Sequence, residues 1–135
     1  MKRFYLLVAF LIISCEDNNT STINQELTFI SSEGNFGSSN ASISVYKGEE
    51  EIQKIEDIGD VLQSILVHGN KLFAILNNSH LIKVYSISEE GLALPGIDIS
   101  TNTSSPREMV VVGNHLYFTN WNSQDVKYLN LTTYI

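Results

Sequence analysis

Cysteine is almost missing from this chain: 135 residues contain one, at position 15. A single thiol makes no disulfide within the chain and leaves no Cys-rich zinc site. Basic residues are also scarce, with eight Lys and Arg against fifteen Asp and Glu, for a formal net charge of −7. A sequence-independent grip on nucleic acid needs clustered cations, so that class is excluded. Long hydrophobic runs are limited to one, at the N-terminus. The chain as a whole is 43% hydrophobic and 17% charged, a composition that can bury a core in a single domain and is unlike that of disordered chains.

The N-terminal run reads as an address. Lys2 and Arg3 precede an uncharged stretch from Phe4 to Ser14. That stretch is shorter than the roughly 20 residues a helix needs to cross a bilayer, but it suits the apolar region of a signal peptide. Ile12-Ile13-Ser14-Cys15 resembles the bacterial lipobox. The resemblance implies cleavage after residue 14, acylation of Cys15, and durable anchoring of the protein to a membrane through its N-terminal lipid. An ordinary secretory signal with a chance cysteine is the competing reading. Glu16 and Asp17 resemble the acidic pair that directs some lipoproteins to the outer face. Residues 15–26 are the cysteine followed, from Glu16 to Glu26, by Asn, Thr, Ser, one Gln and acids with one isoleucine, which predicts a lipidated cysteine and a flexible tether.

Two stretches align without gaps at an offset of 44 residues, Ser64–Ser88 and Glu108–Thr132. Val67, Gly69, Asn70, Leu72, Asn78, Ser79 and Lys83 recur as Val111, Gly113, Asn114, Leu116, Asn122, Ser123 and Lys127. Each copy predicts the same order of elements. An apolar strand (Ile65–Val67; Met109–Val112) meets a Gly-Asn turn, where glycine tolerates positive φ. A second strand follows (Leu72–Leu76; Leu116–Thr119), then a polar turn, then a third strand (Leu81–Ile87; Val126–Leu131). A weaker copy lies upstream, with strands at Leu27–Ile30 and Ile43–Tyr46 around a Gly/Ser/Asn loop. Glu49–Leu62 reads as an edge strand (Ile52–Ile55) plus a connection, with a short helix as the alternative. A sheet of three or four strands every 40 to 45 residues is the period of a β-propeller blade.

Leu116-Tyr117-Phe118-Thr119-Asn120 followed by Asp125-Val126 resembles the repeat of YVTN-type β-propellers, the YncE-like group of exported bacterial proteins. Ser105-Pro106-Arg107 fits their inter-blade entry. The resemblance implies an all-β fold: an incomplete β-propeller of two to three antiparallel blades, with approximate limits 27–60, 61–104 and 105–135, after the signal peptide and tether. Ile135 aligns with Gly91, so the expectation is a truncated product or fragment of a longer propeller. Several chains forming one ring, or a small open sheet, are the alternatives.

No catalytic constellation stands out. His68, His80 and His115 have no metal-ligand spacing, no serine lies in GxSxG or SxxK, and no loop has EF-hand spacing. Neither a cofactor nor a metal is expected. Trp121, with Asn120 and Arg107 beside it, is the candidate ligand-binding group, because an indole on a loop stacks on a sugar or peptide; the competing reading packs Trp121 between blades. The expected function is an exported, lipid-anchored binding or scaffold surface at the bacterial cell envelope, on the outer membrane, for a protein or glycan ligand. One alternative is a propeller enzyme (hydrolase, lyase or quinoprotein-like) with its active site in missing blades. Another is a component of a surface nutrient- or glycan-uptake complex.

Overall fold

The computed structural model describes residues 26–135. The expected signal peptide, Cys15 and the expected tether up to residue 25 lie outside the described residues. Within them the chain is all-β, with eleven strands in three antiparallel sheets. Sheet 1 comprises β1 (Leu27–Ser32), β2 (Ser42–Lys47) and β3 (Glu50–Ile55) in that order. Sheet 2 runs β4 (Leu62–His68), β5 (Lys71–Leu76), β6 (Leu81–Ser88), which then pairs with both the short β7 (Gly91–Leu92) and β8 (Ile97–Ser100). Sheet 3 consists of β9 (Pro106–Val112), β10 (His115–Asn120) and β11 (Lys127–Asn130).

The 44-residue offset survives as geometry. Leu62 faces Leu76 and Ile65 faces Ala74 across β4 and β5; Pro106 faces Asn120 and Met109 faces Phe118 across β9 and β10. Both pairs carry a register shift near the same end, which lets β4 and β9 begin three residues earlier than the apolar pattern indicates. Gly69 and Gly113 open the two matching hairpin turns at φ 57° and 58°. The turn bonds repeat as well: the Ile87 amide donates to the Asn70 carbonyl at 2.8 Å, and the Leu131 amide to Asn114 at 3.0 Å.

The helical alternative for Glu49–Leu62 is overturned. Glu50 and Glu51 open β3 with exposed side chains while Ile55, at its end, is buried. Acids at the exposed start of an edge strand keep their charges in water while the backbone still joins the ladder. β7 and β8 are strands that the repeat grammar does not name, and β11 begins at Lys127 rather than Val126.

Sheet 2 is the centre of the molecule because β5 is apolar on both sides. Leu72, Ala74 and Leu76 join Ile43, Val45 and Leu62 in one core, between sheets 1 and 2. Phe73 and Ile75 join Ile82, Leu116, Phe118 and Leu129 in the other, between sheets 2 and 3. Side chains alternate faces along a strand, so a strand covered on both sides reads as a continuous apolar run. Residues 72–76 are accordingly all 1% exposed or less. Among the described residues β10 is covered on one face: Leu116 and Phe118 are buried, whereas Tyr117 and Thr119 point away from sheet 2.

Candidate functional site

The polar turns gather at one end of the sheets. The Glu33–Asn40 loop, the 57–61 connection, the turn at Asn77–His80, the 101–105 connection and the 121–126 turn all sit there, at matching ends of paired strands. Two polar joints tie this end together.

The first joint centres on Asp60, which is 6% exposed. Its carboxylate accepts the Gly37 amide hydrogen through both oxygens at 3.0 Å and the Asn78 Nδ2 donor at 2.5 Å. The Asp60 amide donates to Ser79 Oγ at 2.8 Å. A buried carboxylate that makes three hydrogen-bond contacts with two donors is compensated for its lost hydration. This one links the loop of sheet 1 to the turn of sheet 2.

The second joint holds sheet 2 to sheet 3. Asn77 Nδ2 donates to the Pro106 carbonyl at 2.8 Å, and Thr101 donates to the His80 carbonyl through both its amide and its hydroxyl. Ser105 Oγ lies 3.0 Å from His80 Nδ1 and accepts from Asn122 Nδ2 at 2.9 Å. The serine is 6% exposed, and Asn122 caps its oxygen, so this contact of a hydroxyl with an imidazole is a strut. A nucleophile has to reach its substrate.

At the surface of the same end, the Arg107 guanidinium lies 4.5 Å from the centroid of the Trp121 ring. Trp121 is 70% exposed and, among the described residues, is not packed between the three sheets. Trp121 owes its position to a backbone bond, its amide donating to the Ser105 carbonyl at 2.9 Å. Asn120 is committed beneath it: its Oδ1 accepts from Ser104 Oγ, and its Nδ2 donates to the Asp125 carbonyl at 3.1 Å. Of the three residues named from sequence, Arg107 and Trp121 therefore meet directly, while Asn120 shapes the turn that carries the indole. Phe36, on the Glu33–Asn40 loop, is 78% exposed at this end and joins the set of open aromatic rings. Its place between two glycines, Gly34 and Gly37, signals a loop tip, but nothing in the pattern separates an exposed ring from a buried one.

A second aromatic group lies on the uncovered face of sheet 3. His115 meets the edge of Tyr128 at 5.1 Å between ring centroids, and Tyr117 lies 5.9 Å from Tyr128. Their strand pairing brings Tyr117 and Tyr128 opposite each other. The signal for this cluster is the i, i+2 spacing of His115 and Tyr117, readable once that strand is known to be covered on one side only.

No protein-family model matches the chain, and a search of curated proteins finds no match.

Proposed function

We propose that the chain is an exported binding or scaffold surface of the bacterial cell envelope, anchored to the outer membrane through lipidated Cys15. In this reading its three sheets are successive blades of a YVTN-type β-propeller, and the loop-bearing end receives a protein or glycan ligand. The observation that carries it is the exposed Arg107–Trp121 pair. A cation held over an indole keeps the ring oriented, and such a contact contributes roughly 0.5–1 kcal/mol at an exposed site. An oriented ring with a donor-rich guanidinium offers a stacking face and hydrogen bonds side by side, which suits a sugar or a peptide. The same end is fastened by the Asp60 and His80 joints, so the pair stands on a fixed base.

The test is a glycan array probed with the full chain and with its Trp121→Ala variant. Retention on a subset of glycans, lost by the variant, supports the reading; equal retention by both forms rejects the stacking role. The anchor is tested separately by metabolic labelling with a palmitate analogue, which Cys15→Ser should abolish.

A further inference from the structure

We infer that the joint between sheets 2 and 3 is acid-sensitive: it closes on a neutral His80 and loosens when that imidazole takes up a proton. The partners fix the tautomer. Asn122 Nδ2 donates to Ser105 Oγ at 2.9 Å and lies 3.5 Å from the Thr103 carbonyl oxygen. Turning that amide over would set its oxygen against the carbonyl, so Ser105 Oγ is the acceptor toward Asn122. The hydroxyl hydrogen of Ser105 then has one acceptor among the described residues, His80 Nδ1 at 3.0 Å. Nδ1 therefore carries the lone pair and Nε2 the hydrogen. Every group in this chain of contacts belongs to sheets 2 and 3 or to the segments that join their strands.

An added proton goes to Nδ1 and reverses that bond. Nδ1–H then points at an oxygen that already accepts from Asn122, and the Ser105 hydroxyl hydrogen loses its acceptor. Ser105 is 6% exposed, so water does not replace what is lost. The new charge finds no partner either. Around this turn Asp60 is engaged by Gly37 and Asn78, Asp98 is paired with Lys83, Asp125 lies 3.8 Å from Lys127, and Arg107 covers Trp121. Asp57 and Glu108 are exposed, and none of these carboxylates forms an ion pair with His80. Other bonds depend on the joint. The His80 carbonyl accepts both Thr101 bonds, and the Ser105 carbonyl accepts the Trp121 amide. Acid thereby relaxes the 101–105 connection and the turn that carries the indole. This inference goes beyond the binding surface proposed above and holds whether or not a ligand is received there.

The test is an NMR titration of the isotopically labelled full chain between about pH 8 and 5, the range in which an imidazole gains its charge. At the alkaline end the His80 ring should show the Nε2–H tautomer. As it titrates, the amides of Thr101, Ser105, Trp121 and Asn122 should shift with it. Those of Thr101 and Trp121 should also exchange with solvent about five- to tenfold faster, one hydrogen bond's worth. His80→Asn keeps a residue type that tolerates the left-handed backbone at this position, φ 55°, and puts a non-titrating oxygen where Nδ1 stands. It should abolish the shifts. His68→Asn combined with His115→Asn, both at the far end of the strands, should leave them intact. A ring found as Nδ1–H at the alkaline end, amides that ignore its titration, or shifts that persist in His80→Asn each overturns the inference.

Discussion

Val61 and Ser105 stand 44 residues apart and hold the same unusual backbone, with φ of 60° and 53°. Each carbonyl accepts an amide from the residue sixteen positions on, Asn77 at 2.8 Å and Trp121 at 2.9 Å. The residues just before them, Asp60 and Ser104, do likewise for Asn78 and Asn122 at 3.2 and 2.9 Å. A left-handed backbone is costly for a β-branched valine, so the turn is held by what surrounds it. The candidate indole is therefore carried by a backbone clamp that the chain builds twice.

Removing the carboxylate of Asp60 should be expensive. Asp60→Ala leaves the Gly37 amide and the Asn78 Nδ2 group, at a part-buried joint, without their acceptor, at a cost of about 1–3 kcal/mol. Urea unfolding of the variant beside the parent chain measures this, and Asp60→Asn, which keeps one acceptor oxygen, should lose less.

Phe73 and Tyr117 are equivalent in the repeat yet should respond oppositely to truncation. Phe73 is 1% exposed between sheets 2 and 3, and Phe73→Ala should cost about 3–5 kcal/mol. Tyr117 faces away from sheet 2, and Tyr117→Ala should cost less than about 1 kcal/mol. Thermal melts of the two variants give the comparison directly.

Glycine positions separate by what surrounds them. A Cβ on Gly69 or Gly113 meets nothing within 4 Å, so only the positive φ opposes it. Alanine at either should cost about 1–2 kcal/mol, and nearly equally. A Cβ on Gly34 would sit 2.7 Å from the Ala41 nitrogen and 2.9 Å from the Asn40 carbonyl carbon, both backbone atoms. Gly34→Ala should therefore cost clearly more than Gly69→Ala in the same unfolding assay.

The Tyr85 phenol is pushed up to about 12, chiefly by burial and secondarily by the negative charge of Asp98. Its folded pKa exceeds the ordinary value of 10.0, so folding favours the neutral phenol. The stability this represents is complete below pH 10 and is lost as pH rises toward 12, by about 2–3 kcal/mol over the interval. Stability measured in urea from pH 9 to 12 should fall, and Tyr85→Phe should flatten that part of the fall.

Trp121 is the chain's one tryptophan, so its fluorescence reports a single site. With the ring 70% exposed, acrylamide should quench it efficiently in the native chain. Arg107→Ala should increase the quenching by uncovering the ring face that the guanidinium occupies. Emission shielded from quencher in the native chain would contradict this placement.

The 44-residue offset makes β4, β5, β9 and β10 legible in advance, because identical turns and alternating apolar residues fix both strand type and register. The starts of β4 and β9 are hidden by the register shift after Leu62 and before Asn120, which breaks the alternation that marks a strand. β8 escapes because four residues, Ile97-Asp98-Ile99-Ser100, carry little periodicity and their place beside β6 depends on the fold. The same holds for the candidate site. Arg107 and Trp121 are fourteen positions apart, and their contact follows from the pairing of β9 with β10. The exposure of the indole follows from what is packed around it, which no local pattern encodes.

The double-sided burial of β5 has a mechanical consequence. Sheet 1 leans on Leu72, Ala74 and Leu76, and sheet 3 leans on Phe73 and Ile75 of the same strand. Loosening either neighbour strips cover from a strand that the other one needs, so the layers lose their footing together. Melting should then be concerted, with the amides of Lys71–Leu76 the last to exchange with solvent.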